Sequence, residues 1–94
     1  MMSNFKLGRL VMTRGISDTI AENEVFKKEV MNCLGRYIRK DWGDMCDEDK
    51  QLNDMAVIND DERILAAYNT TEGKIYIITE HDRSYTTVVF SHEY

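Results

Sequence analysis

No proline occurs in the 94 residues, and the five glycines are scattered rather than clustered. These absences exclude a proline-rich or glycine-rich linker and a glycine loop of the kind that cradles phosphate. No apolar run is long enough to cross a bilayer as a helix. The opening Met1-Met2-Ser3-Asn4-Phe5 has no basic segment followed by an apolar stretch, so no secretory signal is expected and the expected location is cytoplasmic. Only two cysteines are present, Cys33 and Cys46. They do not form a Cys-x-x-Cys pair and are too few for a disulfide framework or a cysteine zinc site, so both are read as reduced thiols. Positive charge is short as well: 12 Lys and Arg against 17 Asp and Glu leave a net charge of −5. That balance argues against direct nucleic-acid binding, which draws on clustered Lys and Arg, and suits a protein partner with a basic surface.

What is present, 43% hydrophobic and 31% charged residues, is the balance of one globular domain over residues 1–94. Its densest β signal is Lys74–Phe90. Ile75–Thr79 and Tyr85–Phe90 are rich in β-branched and aromatic residues, and Glu80–Ser84 between them reads as a hairpin turn. Alternation places Ile75 and Ile77 on one face and Tyr76 and Ile78 on the other, and since neither face is polar throughout, the strand is expected to be central.

Upstream, Phe5–Thr13 is expected to form a first strand with an irregularity at Gly8, and Ser17 or Asp18 to cap a short helical turn carrying Ile20 and Ala21. Phe26, Val30, Cys33, Leu34, Tyr37 and Ile38 recur every three or four residues, which predicts a principal helix from Glu24 to about Lys40. Gly35 inside it suggests close packing or a local bend. Gly43 ends this region, and Asp44 with Asp47 starts a further helix with Met45, Leu52, Met55 and Ala56 as its apolar stripe and Asp49 and Asn53 on another flank. A loop at Asn59–Glu62 precedes a strand at Arg63–Asn69, closed onto Lys74–Thr79 through Gly73. The expected fold is α+β in the order β-α-α-α-β-β-β, a small antiparallel sheet of three to four strands covered on one side by two main helices.

Two polar clusters stand out, Asp41-Trp42-Gly43-Asp44 and Glu80-His81-Asp82-Arg83. The first reads either as helix caps with Trp42 closing the core, or as a partly exposed Trp flanked by acids that anchors a partner. The second reads either as a solvated turn with a local ion pair, or as part of a carboxylate site. Cys33 lies on an apolar helix face and reads as a small buried hydrophobe. His81, Asp82, His92 and Glu93 lack metal-ligand spacing, so neither a metal nor a cofactor is expected.

Taken together, Asp41-Trp42-Gly43-Asp44 with Asp49 and Asn53, then Arg63-Ile64-Leu65-Ala66-Ala67-Tyr68, then Ile78-Thr79-Glu80-His81-Asp82-Arg83-Ser84 with Thr86-Thr87, resemble a family of small uncharacterised bacterial proteins carried on plasmids and other mobile elements and labelled plasmid-related. The likeness spans about residues 15–94. It departs from the family pattern at Tyr37 and Lys40, where His-x-x-Gly is usual, and at His81, where Ala is usual. The resemblance implies a bacterial or mobile-element origin and carries over no activity.

The expected function is a non-enzymatic binding or accessory module, of an anti-defence kind, acting on a protein partner through Asp41, Trp42, Asp44, Asp49, Asn53, Glu80, Asp82 and Arg83, with no catalytic residue. The rival is a small-ligand site or minor hydrolase built from the same carboxylates, with Asn53 and Arg83 orienting the substrate. The two clusters are expected to meet, with Arg83 stacked on Trp42 and paired with Asp41 or Asp44. A concave pocket joining Asp41, Asp49, Asn53, Glu80 and Arg83 with a raised carboxylate pKa favours the rival, and a flat surface favours the binder.

Overall fold

In a computed structural model, which describes residues 5–94, the chain runs β1 (Arg9–Met12), α1 (Arg14–Glu22), α2 (Glu24–Ile38), α3 (Asp47–Asn59), β2 (Ile64–Thr70), β3 (Gly73–Thr79), β4 (Tyr85–Phe90) and a closing 3-10 turn, Ser91–Glu93. The reading of Met1-Met2-Ser3-Asn4 as leaderless lies outside the described residues. No helix among those described is long and apolar enough to cross a membrane.

The α+β class and the element order are as expected, but the sheet is mixed rather than purely antiparallel. Its strand order is β1-β4-β3-β2, and β1 lies parallel to β4 while β2–β3 and β3–β4 are antiparallel. The reason lies in the connections. Two short hairpins force β2, β3 and β4 to alternate in direction, whereas β1 is separated from them by three helices and is free to join the β4 edge in either sense. β3 is central, as its two apolar faces require.

Ile64, Ala66, Tyr68, Ile75, Ile77, Val88 and Phe90 point to the covered face, where they meet Ile16 of α1 and Phe26, Val30, Cys33, Leu34 and Tyr37 of α2. Phe26 stacks on Phe90 with ring centroids 5.4 Å apart. A buried hydroxyl chain crosses this layer. Thr86 donates to the Leu7 carbonyl at 2.7 Å, so it must accept from Thr79 at 2.8 Å, and Thr79 in turn accepts from the Tyr37 hydroxyl at 2.6 Å. Burial at this point pushes the Tyr37 phenol well above its ordinary pKa.

The helix ends differ from expectation in instructive ways. Thr13, not Ser17 or Asp18, caps α1, accepting the Ile16 N–H at 3.4 Å, so the expected single turn becomes a nine-residue helix. Asn23 ends α1 and caps α2 through the Phe26 N–H at 3.1 Å. The first strand is shorter than Phe5–Thr13 because Gly8, at φ 67°, breaks the extended run beside the Arg83 and Ser84 carbonyls. Phe5 turns inward to Tyr37 and Trp42, with centroids 5.6 and 6.0 Å away.

Gly35 is not explained by close packing. A Cβ there meets only the flexible Arg39 guanidinium, at 3.4 Å. Gly35→Ala is therefore expected to stabilise the protein by about 0.5–1 kcal/mol through helix propensity, measurable as a raised urea midpoint at unchanged slope.

α3 departs most from its expected role. Only Asn53 and Ala56 are buried, so α1 and α2 cover the sheet while α3 stands against the β2 edge with Leu52 and Met55 facing solvent. The cause is Asn53, which turns a polar flank of the helix toward the strand.

Candidate functional site

The Asp41–Asp44 segment is a sheet-edge cover. β2 is one of the two edge strands, and its outward N–H and C=O groups need partners or solvent. Ala67 donates its N–H to the Trp42 carbonyl at 3.3 Å and accepts the Asp44 N–H at 2.7 Å. One strand turn earlier, the Asn53 amide closes the same edge with a side chain: Nδ2 donates to the Leu65 carbonyl at 2.8 Å and Oδ1 accepts the Leu65 N–H at 3.3 Å. Asn53 thus stands in for one residue of a neighbouring strand.

The side chains of this segment hold it in place. Trp42 is 2% exposed, against Tyr37 at 5.4 Å, and its indole N–H donates to Asp54 at 2.9 Å. Of its two readings, Trp42 closing the core holds and the partly exposed anchor is overturned, because Phe5 and Tyr37 offer it an aromatic pocket and Asp54 satisfies its one polar group. Asp41 receives Arg36 Nε at 2.8 Å and the Gly43 N–H at 3.2 Å, while the Tyr68 hydroxyl donates to its carbonyl at 2.7 Å. The Arg36 hydrogen bond foremost holds the Asp41 carboxyl below its ordinary pKa. The guanidinium of Arg36 also lies over the Tyr68 ring, 5.0 Å from its centroid. Asp44 pairs with Lys74 at 3.3 Å and accepts from Asn69 at 3.4 Å, and both interactions lower its pKa.

The Glu80–Ser84 turn is at the other end of β3. Arg83 is 7% exposed and turns beneath the end of α3. Its guanidinium donates to the carbonyls of Ala56 at 2.8 Å, Glu62 at 2.7 Å, Glu80 at 3.2 Å and His81 at 3.3 Å. Nε lies 3.3 Å from Asp60, within ion-pair range but without hydrogen-bond geometry. α3 has no basic residue in its last turn, so Arg83 supplies the positive charge that the negative end of the helix dipole favours. Asp82 accepts the Ser84 N–H at 3.0 Å, and hydrogen bonding from Ser84 lowers its pKa.

Two expectations fail together. Arg83 does not stack on Trp42 or pair with Asp41 or Asp44; the cation that pairs with Asp41 is Arg36, adjacent to it across a helix end. The two clusters do not form one site either, because Asp44 is tied to Lys74 at the start of β3 and Glu80 follows its end, roughly 20 Å along the strand. Their proximity depended on the direction in which the α2 terminus overhangs the sheet, which the helix length alone does not determine.

The carboxylates that move all move down, as ion-paired and hydrogen-bonded groups do. Glu93, considered in the sequence only as a metal ligand and set aside, is among them. Desolvation is its largest single influence and raises the pKa, but hydrogen bonds from Thr13 Oγ1 at 2.7 Å, the Phe90 N–H at 3.0 Å and the Gly15 N–H at 3.2 Å together outweigh it. A carboxyl depressed on folding contributes stability above its unfolded pKa, about 4, and loses it as pH falls through the lower folded value. Stability should therefore decline below about pH 4. Glu93→Gln should shallow that decline in urea titrations at pH 3 and pH 7.

Among the described residues no three His, Cys, Asp or Glu side chains converge on a metal position. Cys33 is buried, which foremost raises its thiol pKa, and Cys46 is exposed. Of the eight expected binding residues, Asp49 and Asn53 line a shared open groove of about 280 Å³, with Met45, Leu52, Arg63 and Leu65. Above it, α3 presents Leu52, Met55 and Ile58 to solvent, 63%, 56% and 79% exposed. The three-residue spacing of this stripe was legible in the sequence for Leu52 and Met55; its direction was not. Comparison with family models, curated proteins and solved structures gives no match.

Proposed function

We propose that the chain is a non-enzymatic binding module, an accessory protein that engages a basic protein partner through the outer face of α3. The observation that carries this reading is the exposed stripe Leu52, Met55 and Ile58 on a helix whose other residues include Asp47, Glu48, Asp49 and Asp54 against a single Lys50. Isolated exposed hydrophobes need no explanation, but three in line beside a groove are a patch of the kind that marks interaction sites. Asp49 and Arg63 border the groove, and Asp60, Asp61 and Glu62 extend the acidic rim. The partner this suits has an apolar ridge or cleft edged with Lys or Arg, and an accessory role is in keeping with the plasmid-related resemblance.

Trp42 and Arg83 serve this function indirectly, by fixing α3 against the sheet edge. Asp41, Asp44, Glu80 and Asp82 lie outside the proposed contact. The test is a paired capture from a bacterial host at physiological salt with the wild-type chain and Met55→Glu/Ile58→Glu. A stoichiometric basic partner retained by the first and lost by the second is the expected result, with the folding stability of the variant within about 0.5 kcal/mol of wild type because both positions are exposed. A partner held equally by both would remove α3 from the interface.

A further inference from the structure

The two edges of the sheet are treated differently. β2 is covered by the Trp42–Asp44 backbone and the Asn53 amide, whereas β1, at the opposite edge, has no strand outside it among the described residues. Arg9 and Thr13 donate to the Ser84 and Val88 carbonyls of β4 at 3.1 Å each. The alternation of a parallel ladder then directs the N–H and C=O of Leu10 and Met12 away from β4.

Two further features mark the same edge. Leu10 lies on the helix-covered side yet is 46% exposed, because the layer that buries its neighbours ends at this strand. On the opposite face, Arg9, Val11, Ser84 and Tyr85 line an open groove of about 320 Å³. Charge sets this edge apart from the rest of an acidic chain. Lys6, Arg9 and Arg14 are all exposed along it; at its Thr13 end Arg14 lies 3.7 Å from Asp18, and Glu93 is tied to Thr13 and Gly15, while the acids of α3 and of Asp60–Glu62 gather beside β2.

We propose that the β1 edge is a strand-addition site for an extended acidic peptide segment of a partner, separate from the α3 face. The segment pairs with the outward backbone groups of Leu10 and Met12. Its alternate apolar side chains cover Leu10, and its intervening carboxylates meet Arg9 and the flanking Lys6 and Arg14. Backbone pairing supplies affinity and side-chain alternation supplies register, the general logic of β-augmentation. The overall charge of −5 does not prevent this, since at physiological ionic strength charges more than about 8 Å away are largely screened and the local cations dominate.

The test uses a fluorescent peptide of alternating Glu and Val, its Lys–Val counterpart, and a Glu–Val peptide N-methylated on the pairing edge, which keeps the charge and removes the donors. The expected result is saturable anisotropy binding of the first, at least tenfold weaker binding of the other two, and slowed amide exchange at Leu10 and Met12 by NMR. Arg9→Glu should weaken binding at least tenfold with an unchanged spectrum elsewhere, and Leu10→Pro, which removes an outward N–H, should do the same. Equal binding of the N-methylated or Lys–Val peptide, absence of saturable binding, or protection confined to α3 would overturn the proposal. So would a peptide-free dimer in sedimentation that dissociates in Leu10→Pro, because the edge would then belong to a second copy of the chain.

Discussion

Gly43→Ala should destabilise the protein by about 3–4 kcal/mol, lowering Tm by more than roughly 12 °C. Gly43 sits at φ 76°, and a Cβ built there collides with the Ala67 carbonyl oxygen and falls 2.7 Å from the Tyr68 ring. The first of these is backbone and cannot rotate away. The segment must therefore lift off β2, giving up the Ala67–Trp42 and Asp44–Ala67 hydrogen bonds and loosening the indole from its pocket. Gly73→Ala is the matched control. Gly73 also has positive φ, 117°, but nothing lies within 4 Å of a Cβ there, so only backbone strain of about 1–2 kcal/mol is expected. Urea denaturation of both variants checks the difference. Equal losses would mean that strain alone, and not the cover over β2, sets the cost at Gly43.

Arg83→Met should cost about 2–4 kcal/mol, the second large effect. The loss comes from carbonyls rather than from the ion pair. Glu62 and His81 accept from the guanidinium, and removing it leaves them to find water beneath α3, while the Ala56 and Glu80 carbonyls keep the backbone donors Asp60 and Arg83. Asp60 is 74% exposed in its side chain, so Asp60→Asn should cost less than about 1 kcal/mol. Arg83→Lys should restore only part of the loss, since an ammonium cannot reproduce a planar fork spread over several carbonyls. A large loss in Asp60→Asn with a small one in Arg83→Met would reverse this assignment. Both variants also bear on the proposed interface, because Arg83 joins the end of α3 to the β3–β4 turn. Loosening it should weaken partner capture without touching the exposed stripe.

Local order in this chain follows from local chemistry, and that part was legible. The three-to-four spacing from Phe26 to Ile38 placed α2, the β-branched runs placed β3 and β4, and alternation put Ile75 and Ile77 in the core with Tyr76 and Ile78 opposite, because side-chain period depends only on the backbone conformation of the segment itself. Asp41-Trp42-Gly43-Asp44 was legible as special for the same reason, since acids, a Trp and a Gly after a helix are local signals. Its role was not. Whether Trp42 is an anchor or a buried wedge depends on Phe5 and Tyr37 arriving from elsewhere, and whether Gly43 caps a helix or clears a carbonyl depends on β2. Arg83 went to Ala56 and Glu62 instead of Trp42 for a similar reason: the unneutralised end of α3 and the loop after it, distant in sequence, each offered a carbonyl to a guanidinium already held by its own turn. The parallel seating of β1, the outward turn of Leu52 and Met55 and the contrast between a covered and an open sheet edge were likewise decided in three dimensions. A strand's direction and a helix's rotation are set by what they pack against, and periodicity reports which residues share a face without saying which face meets the core.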